Sequence, residues 1–264
     1  MLIDTHCHLS FKAFRDDLKE VVKRAKSADI AIITVGSQKE TSAKAIAIAR
    51  AEDGVFASIG FHPTHVSDEE FDYDWYEKNS NEEKVVAIGE CGIDFYHANP
   101  KDDDALRNQE DIFRKQINLA RQKNLPLIMH ARNSSSKSEI DAYGHVLRII
   151  KDENFSKCVL HCFGGTWEVA KSFLDFGCLI SFTGIVSFKN VSSELVEVVK
   201  KVPSGSFMVE TDAPYLSPEP FRGKRCEPSY VEYVARAIAT IRGQEYDDIA
   251  EETTKTAKEF FNIN

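Results

Sequence analysis

Hydrophobic positions along this chain fall into two alternating patterns. Short runs rich in Val, Ile, Leu and Phe, of the kind that form buried strands, occur at Met1–Thr5, Ile30–Val35, Val55–Phe61, Val85–Gly89, Leu125–Met129, Lys157–Leu160, Leu179–Thr183 and Phe207–Thr211. Between them apolar residues recur every three to four positions. That period predicts amphipathic helices over Phe14–Ser27, Glu40–Arg50, Leu106–Lys123, Glu139–Asp152, Trp167–Phe176 and Ser192–Lys201. Two more, Glu227–Ile241 and Asp247–Phe261, follow the eighth run. Successive strand starts lie 22 to 40 residues apart, the size of one βα repeat. No Pro/Ser-rich linker or low-complexity segment interrupts the series. Eight strands in βα alternation predict an α/β fold, a single (β/α)8 TIM-type barrel over residues 1–264 with additional C-terminal helices. A doubly wound open sheet is the alternative, and it normally contains fewer strands.

Length and composition narrow the picture. The chain of 264 residues is long for one ordinary domain, but closed α/β barrels run roughly 200–250 residues as one unit. With 42% hydrophobic and 28% charged residues it can bury a large core, which excludes a disordered chain. The net charge of −9 argues against holding nucleic acid through a broad basic surface, though not against a metal site that handles phosphates. No apolar run approaches the roughly 18 residues of a membrane span, and the first residues lack the pattern of a signal peptide. The expectation is a cytoplasmic protein with no membrane partner. Cys7, Cys91, Cys158, Cys162, Cys178 and Cys226 form no C-x-x-C pair. They read as reduced core residues, with Cys158 and Cys162 sharing one strand parity.

The placement of the metal-capable residues carries the chemistry. His6 and His8 end the first predicted strand, Glu90 the fourth, His130 the fifth, His161 the sixth and Asp212 the eighth. In a (β/α)8 barrel all these C-terminal strand ends open onto one face. Two residues apart on a strand, His6 and His8 point to the same side, with Cys7 opposite. Six nitrogen or carboxylate donors from five strands therefore converge. Mixed His and carboxylate donors suit Zn²⁺ or Mn²⁺ better than an all-oxygen Mg²⁺ site, without excluding Mg²⁺. Six donors exceed the need of one tetrahedral ion, so two divalent ions are expected, with Glu90 as the natural bridge. Such a pair, about 3.5–4 Å apart, can generate hydroxide and clamp a phosphodiester transition state. Asp212 can bind one ion and accept the proton of the attacking water.

Six segments carry a family resemblance: Met1–Leu9 (MLIDTHCHL), Ile88–Tyr96 (IGECGIDFY), Pro126–Arg132 (PLIMHAR), Leu160–Gly165 (LHCFGG), Gly184–Asn190 (GIVSFKN) and Glu210–Leu216 (ETDAPYL). In order and spacing they resemble the TatD-type metal-dependent deoxyribonucleases, which belong to the amidohydrolase-like metallo-barrels. The resemblance implies hydrolysis of DNA phosphodiesters, commonly as an exonuclease on single strands, with divalent metal required. It implies His6, His8, Glu90, His130, His161 and Asp212 as ligands. Gly60-Phe61-His62-Pro63 resembles the family's G-x-H-P, which implies that His62 faces the scissile phosphate. In the segment after the last strand, Cys226 stands where the family usually has asparagine before Glu-Pro, so no substrate contact is assigned to it. The segment from Asn133 to Ser136 also departs from the pattern.

On the substrate side, Arg222, Lys224 and Arg225 form the densest basic cluster near the mouth, and Arg132 lies two residues beyond His130. Arginine can fork onto phosphate oxygens, and Arg132 and Arg222 are the candidate substrate contacts. Phe95 and Tyr96 offer a stacking surface for an unpaired base. Glu210, two positions before Asp212, reads as orienting a ligand rather than as catalytic. His65, His97 and His145 read as loop or surface residues. One rival reading is another metallo-barrel hydrolase, such as an amide hydrolase or a D-aminoacyl-tRNA deacylase. The fourth strand, with no interior lysine, disfavours the lysine-bridged members. A non-catalytic barrel would have lost ligands, and all six are present. Cleavage polarity, DNA against RNA and the oligomeric state stay open.

Overall fold

The structure, a computed structural model, describes residues 1–97, 103–134 and 141–263. Eight strands, β1 (Leu2–Cys7), β2 (Ile30–Val35), β3 (Val55–Ile59), β4 (Val85–Asp94), β5 (Leu127–Arg132), β6 (Cys158–Leu160), β7 (Leu179–Phe182) and β8 (Phe207–Val209), lie side by side in sequence order. Every neighbouring pair is parallel. Beyond β8 the chain turns back onto β1. Asp212 N–H donates to His6 O (2.8 Å), His8 N–H donates to Ala213 O (2.7 Å), and Cys7 bridges Ala213 in parallel. The sheet is thus a nearly closed TIM-type barrel.

Helices α1 (Leu18–Ser27), α2 (Lys39–Ala51), α3 (Tyr73–Asn79), α4 (Asp103–Lys123), α5 (Ala142–Asp152), α6 (Trp167–Asp175) and α7 (Ser193–Lys201) connect the strands. Helices α8 (Val231–Arg242) and α9 (Tyr246–Phe261) follow the last one. The first two residues of the expected Glu139–Asp152 helix lie outside the described residues, as do Ser135 and Ser136. Sequence periodicity omits α3, whose seven residues carry one buried side chain, Tyr76. Two predicted helix starts are instead 3₁₀ turns, Lys12–Phe14 before α1 and Pro228–Tyr230 before α8.

Each connecting helix turns one apolar stripe onto the sheet. In α5 the buried residues Ala142, Val146, Ile149 and Ile150 repeat at helical spacing. Each larger side chain contributes about 1.5–3 kcal/mol by leaving water. A separate cluster joins Ile3, Ile33, Val86, Ile128, Val159 and Met208. These residues come from six of the eight strands, on opposite sides of the ring, so they meet across the barrel interior. Ala257, Phe261 and Ile263 from the C-terminal segment complete that cluster. Among the described residues no helix is long and apolar enough to cross a membrane.

Two features aim side chains at the mouth. The β1–β2 register shifts between Asp4 and Cys7, and the β4–β5 register shifts between Ile88 and Cys91. The irregularities fall at His6 and Glu90, where a bulge re-aims a side chain. Strands β3, β4 and β5 also approach unusually closely here. A Cβ on Gly89 would sit 2.4 Å from Ile128 O, and one on Gly92 2.0 Å from His130 O, while both residues have positive φ (135° and 145°). Only glycine fits either position.

Candidate metal centre

At the C-terminal mouth the donor atoms gather around one carboxylate. Glu90 is buried, and its two oxygens face two different sets of residues. Its Oε2 lies 3.5 Å from His6 Nε2 and 3.7 Å from His8 Nε2. Asp212 Oδ1 closes that set, 3.4 Å from His8 Nε2 and 4.0 Å from His6 Nε2. Its Oε1 lies 2.8 Å from His130 Nδ1, 3.4 Å from His161 Nε2 and 3.4 Å from His62 Nε2. Five imidazoles and two carboxylates thus form two half-sites that share Glu90. Asp212 enters with φ 59°, a left-handed backbone that aspartate tolerates better than most residues. Its amide on His6 O holds it there.

The sequence places Glu90 and His130 at strand ends; in the structure β4 and β5 pair on as far as Asp94 and Arg132, so both sit inside strands. Asp212 lies three residues past β8 and His161 one past β6. All six expected donors, and His62 with them, converge.

Hydrogen bonds set which ring nitrogen each histidine presents. His161 Nδ1 donates to Glu210 Oε1 (2.7 Å), which also accepts the Cys162 N–H, and this leaves Nε2 toward Glu90. His8 Nδ1 donates to Val35 O (3.0 Å), which leaves its Nε2 inward. His130 lies between two carboxylates, with Nε2 3.0 Å from Asp94 Oδ2 and Nδ1, 2.8 Å from Glu90 Oε1, facing the centre. His6 stacks on His161 with ring centres 3.7 Å apart, and its Nδ1 is buried without a hydrogen-bond partner among the described residues. His62 differs: its Nδ1 accepts the Thr64 N–H (3.2 Å), so the ring proton sits on Nε2. His62 therefore offers a donor rather than a lone pair.

The electrostatics agree with this division. Burial opposes ionisation of Glu90, but His62, His161, His130 and His6 outweigh it and hold the carboxyl well below its usual range. For Asp212, burial is likewise overcome by His8 and His161. Burial works against charge on His161, yet Glu210 and Glu90 raise it to about 10. His62 is pushed down to about 4, chiefly by burial, and is neutral at pH 7. The chemistry of the donor set fits divalent cations: ionised carboxylates, and imidazole nitrogens that become ligands once a metal displaces their protons, aimed at common points and buried.

The profile of the TatD-related DNase family matches residues 3–262. The chain belongs to the TatD-related DNase family. It is 42% identical to the uncharacterized metal-dependent hydrolase YabD of Bacillus subtilis strain 168, over the full length of both. It is 34% identical to the uncharacterized metal-dependent hydrolase YcfH of Escherichia coli K12, covering 100% of this chain and 96% of that relative. The crystal structure of YJJV, a TatD homolog from Escherichia coli K12, superposes with a TM-score of 0.89 at 26% identity, covering 100% of this chain and 98% of that one.

Around the mouth of this TatD-family barrel the remaining candidates separate. Tyr96 is 49% exposed and carries the Arg132 guanidinium 3.8 Å above its ring. Its neighbour Phe95 is buried against His145, which removes it from the expected stacking surface. Arg222 is exposed and lies 3.8 Å over the Phe188 ring. Arg225 is committed elsewhere: its guanidinium forks onto Asp17 at 2.7 and 2.6 Å. Tyr215, 54% exposed, sits edge-on to Phe11, which stacks on His8. Cys226 is buried with its N–H on Pro214 O. All six cysteines are free, and five are buried. Cys162 is the exception, because β6 ends at Leu160 and Cys162 takes a φ of 48°, so strand parity with Cys158 does not apply. His97 is exposed in the turn after β4, as expected, with its Nδ1 3.1 Å from Asp94 Oδ2. Sequence reasoning passed over Asp94. Its signal was the Glu90, Gly92, Asp94 parity of a strand that runs past Gly89.

Proposed function

We propose that this protein is a metal-dependent hydrolase that cleaves DNA phosphodiester bonds, acting from the ends of single strands. The observation that supports it most is the shared Glu90 between two half-sites at the barrel mouth of a TatD-family chain. In this reading His6, His8, Asp212 and Glu90 Oε2 hold one divalent ion, and His130, His161 and Glu90 Oε1 hold a second. Ions bound there would supply Lewis acidity for the phosphoryl group and for water.

The chain's own residues do the rest. Asp212, ionised at neutral pH, takes the proton of the attacking water as its oxygen bonds to phosphorus. Neutral His62 donates its Nε2 proton in a hydrogen bond to a non-bridging phosphate oxygen, where charge builds in the transition state. The P–O bond to the ester oxygen breaks, and that oxygen takes up the proton held by Asp212 to leave as the alcohol. Arg132 and Arg222 meet phosphates further along the strand, and the exposed faces of Tyr96 and Tyr215 stack on unpaired bases.

The test is end-labelled single- and double-stranded DNA incubated with Mg²⁺, Mn²⁺ or Zn²⁺. Stepwise shortening of the single strand, abolished by a chelator, is the expected result. No cleavage with any of these ions, alongside turnover of a small amide or an aminoacyl ester, would transfer the site to the rival hydrolase chemistry.

A further inference from the structure

Among the described residues only three large hydrophobic side chains are exposed, Met1, Tyr96 and Tyr215. Met1 precedes β1, at the opposite end of the barrel from the mouth; the two tyrosines stand at the mouth itself. Tyr96 follows the end of β4, and its ring lies under the guanidinium of Arg132 at the end of β5. Tyr215 follows β8, its N–H donates to Asp212 O (2.9 Å), and its ring meets Phe11, which follows β1. In a ring ordered β1 to β8, β4 lies opposite β8 and β5 opposite β1. The two exposed rings therefore stand on opposite sides of the mouth, with the donor cluster around Glu90 between them.

Each ring is tied to one half-site. Phe11 stacks on His8 with ring centres 4.4 Å apart and 8° between the planes, so the Phe11–Tyr215 corner is built on the His6–His8–Asp212 set. On the far side Asp94 Oδ1 accepts the Tyr96 N–H (2.8 Å) while its Oδ2 lies 3.0 Å from His130, so the Tyr96–Arg132 stack is built on the His130 set. A phosphodiester held between the half-sites carries one nucleoside on each side. An exposed aromatic ring takes any base, because every base has a π-face. Two bases stacked on each other could reach only one of the rings. We propose that the Phe11–Tyr215 corner and the Tyr96–Arg132 stack are two base platforms, one for each nucleoside flanking the scissile phosphodiester, and that the site takes its dinucleotide step splayed open. The proposal rests on the phosphodiesterase reading above.

Splaying names the substrate class more narrowly than phosphate chemistry does. Unstacking a step costs free energy, and the cost is least where the bases are already unpaired. The interior of a duplex keeps each step stacked and paired, whereas a single-stranded end can part its last two bases. Selection for such ends then comes from two tyrosines and needs no broad basic surface, in keeping with the net charge of −9. A phosphodiester lacking a base on either side forfeits one of the two contacts.

Three dinucleoside phosphates test it, one with both bases, one abasic on the 5′ side and one abasic on the 3′ side. Each is given to the wild type, Tyr96→Ala and Tyr215→Ala in Mn²⁺. The wild type should lose about 10- to 100-fold in kcat/KM for either missing base. Each variant should lose as much on the intact dinucleotide, then ignore the absence of one base and respond fully to the absence of the other. The two variants should ignore opposite bases. A wild type indifferent to both bases, variants that keep its response to both, or variants that ignore the same base overturn the platforms and leave the nuclease reading standing. Should no divalent ion support cleavage, quenching of 2-aminopurine at either position of the intact dinucleotide reads the same contacts in Mg²⁺. Quenching at both positions, lost at opposite positions in the two variants, refutes the nuclease reading and keeps the platforms. No quenching at either position overturns both.

Discussion

Replacing Glu90 by glutamine alters the one side chain common to both half-sites. Its oxygens lie 2.8 to 3.7 Å from five imidazole nitrogens, and burial removes the solvent screening that weakens surface charges. The amide keeps one acceptor oxygen and puts an NH₂ donor where the other stood, so one half-site loses its oxygen and the other loses its charge. Charge-assisted contacts contribute about 1.5–3 kcal/mol each. At 1.4 kcal/mol per decade, each ion should bind roughly 10- to 100-fold more weakly. Equilibrium dialysis with Mn²⁺ and elemental counting of bound ion measure this directly, with circular dichroism confirming the fold. Asp212→Asn, whose nearest imidazoles are His8 (3.4 Å) and His6 (4.0 Å), should weaken the ion of that set more than the other. Retention of both ions at wild-type affinity in Glu90→Gln would refute Glu90 as the shared ligand.

Asp212→Asn should also lower turnover by about 10²–10⁴ through loss of the proton acceptor, measured at saturating metal so that binding is not limiting. His161 supplies a pH dependence. Its folded-state pKa of about 10 exceeds the ordinary value of about 6.5, so its pairing stabilises metal-free protein fully below that value and is lost as pH rises toward about 10. Thermal unfolding of metal-free protein should fall across that window. Metal uptake at neutral pH should release protons, seen by calorimetry in buffers of different ionisation enthalpy; uptake without proton release contradicts the assignment. Tyr96→Ala should weaken binding of single-stranded oligonucleotides by about 1–3 kcal/mol while leaving a small phosphodiester substrate unaffected. The net charge of −9 predicts a shallow dependence of DNA binding on salt, and a steep slope would reveal an unrecognised basic surface.

The barrel and the converging donors were legible because both depend on period and position. A βα repeat puts strand ends on one face, and His6, His8, Glu90, His130, His161 and Asp212 occupy or closely flank such ends. What stayed hidden has a physical reason in each case. Asp94 was missed because the fourth predicted strand stops at Gly89; in the fold Gly89 and Gly92 are the positions where β4 presses against β5, and the strand continues through them. Phe95 and Tyr96 are adjacent and both aromatic, so composition cannot say which is buried. The fork of Arg225 onto Asp17 spans 208 positions, which no local pattern encodes. Helix α3 is short, and it exists largely to seat Tyr76, whose hydroxyl donates to Gly60 O.

Barrel closure also governs when the site can exist. The Asp4 carboxylate accepts the Thr211 N–H at 2.8 Å and its hydroxyl at 2.7 Å, a clamp between residues 207 positions apart. The flanking residues His6 and His8 on one side and Asp212 on the other form a single half-site. A chain synthesised only as far as β7 carries the histidines but not the carboxylate that completes them. In this arrangement the half-site is a property of the closed ring, and a nascent chain lacks it until β8 has docked on β1.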